Sequence, residues 1–303
     1  MSLAEIEAAQ IQLEQPTGGL WREAWYRIRR NPGALIGFAL VLLFVIAAAG
    51  APWIAPADPA NDTFLVGGIL QPEPPSKDHL LGLDIQGRDV FSRIVYGARY
   101  TLFIGVVSVG IGLAVGLVLG AIAGYIGGFV DSVVMRLMDV MLAIPGLLFA
   151  IGIVAMLGQS LRNVMIAVGV VNIPIFARLL RGSVLAQKEN DYVLAARAVG
   201  ASRRSILFSH ILPNAMSPVI VQGTLAMATA IIDVAGLGFL GLGPQEPSTP
   251  EWGTMLTNVN EYLVSAPYLA IIPGVAIVVS VLGFNLIGDG LREALDPKLR
   301  GRA

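Results

Sequence analysis

Six long apolar runs alternate with polar stretches along this chain, and their lengths set the first expectation. They extend from about Ala34 to Ala55, Thr101 to Tyr125, Leu137 to Leu157, Val164 to Leu180, Pro218 to Leu242 and Pro267 to Ile287. A helix needs about 20 mostly apolar residues to cross a bilayer, whereas a barrel strand needs only about 10. Lipid offers no partner to an open backbone, so only helices and closed barrels span it. The pattern predicts an all-α integral membrane protein with six transmembrane helices. The fourth run is the least regular, because Asn172 and Pro174 interrupt it. The first ends in "IAAAGAP", which resembles a signal-peptide cleavage site, but about 33 residues precede it and it is too long for a leader's apolar region. It is read as an uncleaved first span.

The polar stretches divide the chain further. Residues 1–33 form a tail ending in "LWREAWYRIRRNPG", which reads as an amphipathic helix on the inner interface, anchoring the first span at 34–55. Residues 56–100 form an extracytoplasmic segment whose end is too regular for a linker. Residues 101–288 form a five-helix core interrupted by a charged loop at 190–214, and 243–266 form a second outer loop. Residues 289–303 close the chain as a tail. Gly112, Gly116, Gly120 and Gly124 lie four apart in the second span, on one helix face, where glycine lets another helix approach backbone to backbone. That partner is either within the bundle or on another subunit.

Charge sets the orientation. The chain holds 20 lysines and arginines. With the N-terminus inside, only Lys77, Arg88, Arg93, Arg99 and Arg162 fall outside, leaving fifteen on the cytoplasmic side, as the positive-inside bias requires. Both termini are then cytoplasmic. The net charge of −1 gives no basic face for nucleic acid.

Much chemistry is excluded by residue type. There is no cysteine, hence no disulfide, thiolate nucleophile or cysteine-held metal. The three lysines follow Ser76, Gln187 and Pro297, so no phosphate-binding loop ends in Gly-Lys. His79 and His210 fall on opposite sides of the membrane, which argues against a histidine metal site. Gly158 to Ser160 hints at a serine nucleophile, but no histidine lies in a span to act as its base. Asp139, three residues after Arg136, is expected to form a local ion pair with it. Asp233 lies well inside the fifth span, where a carboxylate needs water or a partner. Asp233 and Asn172 are the candidates for lining a translocation pathway, with a structural hydrogen bond between helices as the other reading of Asp233.

The charged loop "LAARAVGASRRSILFSHILPN" has its own design. Asn190 or Asp191 can cap a helix beginning at Tyr192, Gly200 suits its end, and Ser202 can cap a second short helix running to Pro213. Ala195 and Ala196 are small enough to admit a close neighbour. The shape resembles a DNA-binding helix-turn-helix, but both ends run into the membrane within a few residues. A membrane protein without a nucleotide site that shows such a knob to the cytoplasm is read as offering it to an energising partner.

Here a family resemblance enters. The loop is similar to the EAA loop of ABC importer permeases, with Ala195, Ala196, Gly200, Leu212 and Pro213 at the expected spacing. Leu194 stands at the glutamate position and His210 at the isoleucine position. "GLDIQGRDVFSRIVYGAR", "VDSVVMRLMDVMLAIPGLL", "GFLGLG", "PEWGTML" and "FNLIGDGLREALDPKLR" resemble the C-type subunit of dipeptide, oligopeptide and nickel importers, most of all the dipeptide branch. Gly87, Arg88, Asp89, Ser92, Arg93, Gly97 and Arg99 match the first of these motifs, and Leu83 replaces a threonine.

The resemblance implies a type I ABC importer permease fold with a cytoplasmic coupling helix, in the bacterial inner membrane. It implies a second homologous permease, one or two cytoplasmic ABC ATPase subunits that bind Mg-ATP, and an extracytoplasmic substrate-binding protein. This chain itself would be non-catalytic, with no cofactor of its own. Tyr192, Leu194, Ala195, Ala196, Val199, Gly200, Ala201, Ser202 and Pro213 would form the ATPase-coupling surface. The implied substrate is a dipeptide or oligopeptide, with nickel or another small solute as the variant. The rival is a proton-coupled secondary transporter acting alone.

Overall fold

The computed structural model describes residues 20–244 and 249–295, with side chains from Ala24 onward. The polar tail before residue 20, the side chains of Trp21 and Arg22, and the C-terminal residues from Pro297 with Lys298, Arg300 and Arg302 lie outside that description. Among the described residues the fold is helical. In chain order the helices are α1 (Leu20–Ile28), α2 (Pro32–Ile54), α3 (Val90–Ile126), α4 (Gly128–Leu142), α5 (Gly146–Leu157), α6 (Leu161–Lys188) and α7 (Asp191–Ala198). There follow α8 (Arg203–Ser205), a π-helical turn (Ile206–Ile211), α9 (Leu212–Ala215), α10 (Ser217–Phe239), α11 (Trp252–Met255), a 3₁₀ turn (Val259–Tyr262) and α12 (Tyr268–Leu295). Five helices (α2, α3, α6, α10 and α12) are long and apolar enough to cross a membrane, and the bent pair α4–α5 makes a sixth.

Three spans differ from the sequence expectation. The third is not one rod from Leu137 to Leu157. It begins at Gly128 and turns by 90° between α4 and α5. Pro145 opens α5 and disfavours helical backbone at Ile144, so the chain breaks there. The fourth run, expected to be the least regular, is a continuous 28-residue helix with Pro174 inside it. Asn172 does not interrupt it either, because its side-chain amide donates back to the Val168 carbonyl at 2.8 Å. α3 also begins earlier than Thr101. Its 37 residues reach about 55 Å at 1.5 Å per residue, well beyond a hydrocarbon core of about 30 Å.

The centre of the bundle is the α3–α6 contact, the most extensive in the molecule. The glycine ladder makes it, inside the chain. A Cβ on Gly112 would lie 2.7 Å from Asn172 Cβ, on Gly116 2.6 Å from Phe176 Cβ, and on Gly120 2.5 Å from the Ala177 carbonyl. At Gly124 the Arg181 carbonyl and Val184 stand at 3.0 Å. α2 closes on α12 in the same manner, with Gly37 against the Gly283 carbonyl. Asn31 accepts from Ala34 N at the start of α2 and donates to Glu293 at the end of α12. α1 lies beside α12, leaving Trp25 and Tyr26 exposed and Arg30 over the Tyr26 ring at 4.1 Å.

The expected Arg136–Asp139 pair does not form. α4 lies along α6, and Asp139 pairs with Arg178 instead. Asp131 holds Arg181 through two contacts at 2.5 and 2.6 Å. Carboxylates on one helix thus bind guanidinium groups on its neighbour, which tie α4 to the core more firmly than a pair within one helix would.

A glycine comparison tests the ladder. Gly120→Ala is expected to destabilise the purified protein by about 1–3 kcal/mol, because its new methyl meets backbone. Gly110→Ala, in the same helix with open space around it, is expected to be neutral or stabilising. Thermal unfolding in detergent reads both, and equal midpoints would refute the packing account.

Candidate functional site

The loop at 190–214 forms a compact knob at one end of the bundle. Asn190 is the N-cap of α7 by position, but its side chain makes no capping bond and donates instead to Gln187 Oε1 and the Ala186 carbonyl. The other end of α7 is more strongly specified. Gly200 N donates to the Arg197 carbonyl and Ala201 N to the Ala196 carbonyl, both at 3.0 Å. This paired closure requires a left-handed residue, and Gly200 supplies it at φ +82. Ser202 then accepts from Ser205 N and starts the return. That return is not a plain second helix to Pro213. It widens into the π-helical turn Ile206–Ile211, where Leu212 N reaches back five residues to the Leu207 carbonyl. Pro213 has no N–H to give, and its ring would crowd the carbonyl four residues earlier, which a wider turn relieves.

The knob has an inner and an outer face. Val193 and Ala196 are buried and join the main core with Ile206, Ile211 and Ala215. The structure therefore separates the two alanines: Ala195 points outward, while Ala196 is turned into the chain's own interior and is not part of an open docking surface. Leu194, Val199, Phe208 and Tyr192 are exposed on the outer side, Val199 at 84%. These apolar side chains stand exposed on a polar, charged knob at the end of the spans. Ala201 is half-buried, and Ser202 and Pro213 are exposed at the corner and the return. The knob is tied to the bundle through Tyr125, whose hydroxyl donates to the Arg203 carbonyl at 2.8 Å and whose own carbonyl accepts from Lys188 Nζ at 3.1 Å.

The two pathway candidates part company. Asn172 is buried in the α3–α6 contact, its Cβ against Gly112, and it lines no open path in this structure. Its role here is a helix-packing one. Asp233 is half-buried and has no hydrogen-bond or ion-pair partner among the described residues. It shares a helix face with exposed Thr229, half-buried Gly236 and exposed Leu240. That face is partly covered among the described residues, with Leu147 3.6 Å from a Cβ placed on Gly236.

At the opposite end the sequence motifs build a clasp whose internal contacts spacing did not reveal. Asp89 caps α3 by accepting from Ser92 N at 2.7 Å and contacts His79 at 3.1 Å. Asp84 accepts from Arg88 Nε at 2.8 Å and lies 3.4 Å from Arg93 Nε. Ser92 and Arg93 reach the chain leaving α2, at Ala57 N and the Pro59 carbonyl. Trp252 is fully buried over Gly97, where a Cβ would stand 2.5 Å from its ring, and its indole N–H donates to the Ile94 carbonyl. Gly87 turns the chain at φ +69 beneath the Phe64 carbonyl. Arg99 is exposed. Glu251 was not singled out by sequence, yet it is fully buried and accepts from Gly253 N, Thr254 N and the Thr254 hydroxyl. Its position one residue before "WGTM" is a helix-capping signal. A cavity of about 210 Å³ borders the clasp, lined by Asp84, Arg88, Arg93 and Thr254 among others.

Comparison with known proteins follows from these features. Residues 116–301 match the family described as binding-protein-dependent transport system inner membrane component. Residues 19–72 match the N-terminal TM domain of oligopeptide transport permease C. The chain is 46% identical to the dipeptide transport system permease protein DppC of Alkalihalophilus pseudofirmus, over 92% of this chain and 90% of that protein. It is 47% identical to the di/tripeptide transport system permease protein DppC of Pseudomonas aeruginosa, over 93% of each. It is 49% identical to the glutathione transport system permease protein GsiD of Salmonella typhimurium, over 93% and 91%. Among solved structures, an inward-facing MetNI methionine ABC transporter superposes with TM-score 0.56 at 20% identity, over 67% of this chain and 96% of that one. An amino acid ABC transporter crystallised with histidines superposes at 0.50 and 16% identity, over 66% and 92%. These two likenesses establish the fold.

The clasp has a pH signature. Burial pushes the Glu251 carboxyl above the ordinary glutamate value, against the lowering pull of its three hydrogen bonds. A carboxyl raised in the folded state stabilises it fully below the unfolded pKa, and that contribution is lost as pH rises through the folded one. The thermal midpoint of the wild type is therefore expected to fall relative to Glu251→Gln as pH is raised from about 4 to about 8. Parallel profiles would refute this.

Proposed function

The chain belongs to the binding-protein-dependent transport system inner membrane components and is a permease subunit of an ABC importer, and from that premise we propose that it forms half of a path for dipeptides or short oligopeptides across a bacterial inner membrane. Partner ATPases drive alternating access between outward and inward states. A second, homologous permease completes the path, and a substrate-binding protein delivers the peptide at the clasp end. The knob end and both termini are cytoplasmic.

One observation carries the reading: a rigid knob at the end of a multi-pass membrane protein exposes Leu194, Val199 and Phe208 away from the spans. A short helix closed at Gly200 and seated by Val193 and Ala196 moves as a unit, so a push on it reaches the core. The chain's three lysines sit in no phosphate-binding loop, in keeping with an energy supply from other subunits. Peptide as substrate is supported by relatives named for dipeptide, di/tripeptide and glutathione transport. On this reading the Asp233 face of α10 meets the second permease or the hydrated path, which relieves an otherwise unpaired carboxylate.

Purification of the tagged chain from its native membrane tests the assembly. The expected result is co-recovery of a second multi-span permease and of P-loop ATPases, with ATPase recovery reduced at least tenfold by Ala195→Trp while the second permease is retained. A chain recovered alone and monodisperse would overturn the proposal in favour of a self-sufficient transporter. In contrast, Ala196→Trp is expected to lower stability itself, because it overfills the interior.

A further inference from the structure

A second attachment of the knob lies outside the apolar core. The Tyr192 hydroxyl, on α7, lies 2.6 Å from Gln187 Oε1 at the end of α6. It lies 3.3 Å from the His210 carbonyl in the π-helical turn. Asn214, in α9 ahead of α10, donates from Nδ2 to that same carbonyl at 2.7 Å and stands 3.5 Å from the Tyr192 oxygen. Asn190 Nδ2 reaches Gln187 Oε1 at 3.0 Å. Four elements thus meet at one hydroxyl: the span entering the knob, the coupling helix, the π-turn and the segment that leads into α10.

The meeting point is not an accident of crowding. Pro213 has no N–H, so the backbone ladder is incomplete just before Asn214. Side-chain donors reach the return segment from Asn214 and from the coupling helix itself. A π-turn differs from an α-helical turn by one residue of register, and such turns recur at functional positions. The Tyr192 hydroxyl has one proton and two acceptors in reach, one on the incoming side of the knob and one on the outgoing side. Val193 and Ala196 hold α7 to the core from its inner face, but apolar contact has little direction. A hydroxyl contact to the His210 carbonyl adds direction.

We propose that Tyr192 and Asn214 form a latch on the His210 carbonyl that transmits displacement of the coupling helix to α10, the helix carrying Asp233. The latch rests on the coupling role assigned to the knob above. Tyr192 and Asn214 act here as positioning residues, through the backbone of the return segment, and neither touches substrate or nucleotide.

The test uses the whole importer, purified with its partner subunits and reconstituted in liposomes with its binding protein and a labelled dipeptide. The readout is the number of ATP molecules hydrolysed per dipeptide imported. Tyr192→Phe keeps the ring and removes the hydroxyl, and Asn214→Ala removes the second donor. Each is expected to raise the ratio at least fivefold, and the double variant no further than the worse single. Ala195→Trp in the same assay reports on the coupling role itself. An unchanged ratio in Tyr192→Phe with a raised ratio in Ala195→Trp would overturn the latch and leave the coupling role standing. A double variant whose effect is the product of the singles would also overturn it, since independent losses are not one latch. An unchanged ratio in Ala195→Trp would remove the coupling role and the latch together.

Discussion

Backbone contact between α3 and α6 is the constraint on which the other features depend. Inside a bilayer the hydrophobic effect does not draw helices together, because lipid is as apolar as a leucine face. What remains is close packing, and four glycines at one face provide it. The contact joins residues 108–124 of α3 to residues 169–184 of α6, and α3 continues from it to the opposite end of the bundle. At one end the frame receives the knob, through Tyr125 and Lys188. At the other it receives the clasp, through Asp89, Ser92 and Arg93.

The two ends are built differently. The clasp is dense in buried charge and aromatic contact: Glu251 and Trp252 are fully buried, and Asp84, Arg88 and Arg93 nearly so. Burying charge is costly unless geometry is good, and such networks give rigidity and a unique arrangement more than net stability. The knob is held by a modest apolar seat and by hydrogen bonds near its surface. Exposed bonds exchange with water at little cost.

The arrangement also accounts for where polar groups sit within the spans. Asn172 satisfies itself on the Val168 carbonyl and costs the bundle little. Asp233 has no such local answer: it has no hydrogen-bond or ion-pair partner among the described residues.

Sequence alone determined the class of structure: span number from apolar run length, helix-on-helix contact from the four-residue glycine period, the left-handed closure at Gly200, and the cap at Ser202. Each depends on local geometry, which neighbours along the chain dictate. Family motifs likewise gave the kind of protein before any coordinates did. Tertiary structure decided everything that depends on which helix lies beside which. It turned Ala196 inward and Ala195 outward, gave Asp139 to Arg178 rather than Arg136, and buried Asn172 in the α3–α6 contact. It bent the third span at Pro145 while carrying α6 straight through Pro174. Proline removes a donor in both places, but at the second the helix continues, packed against Gly112 and Gly116 of α3.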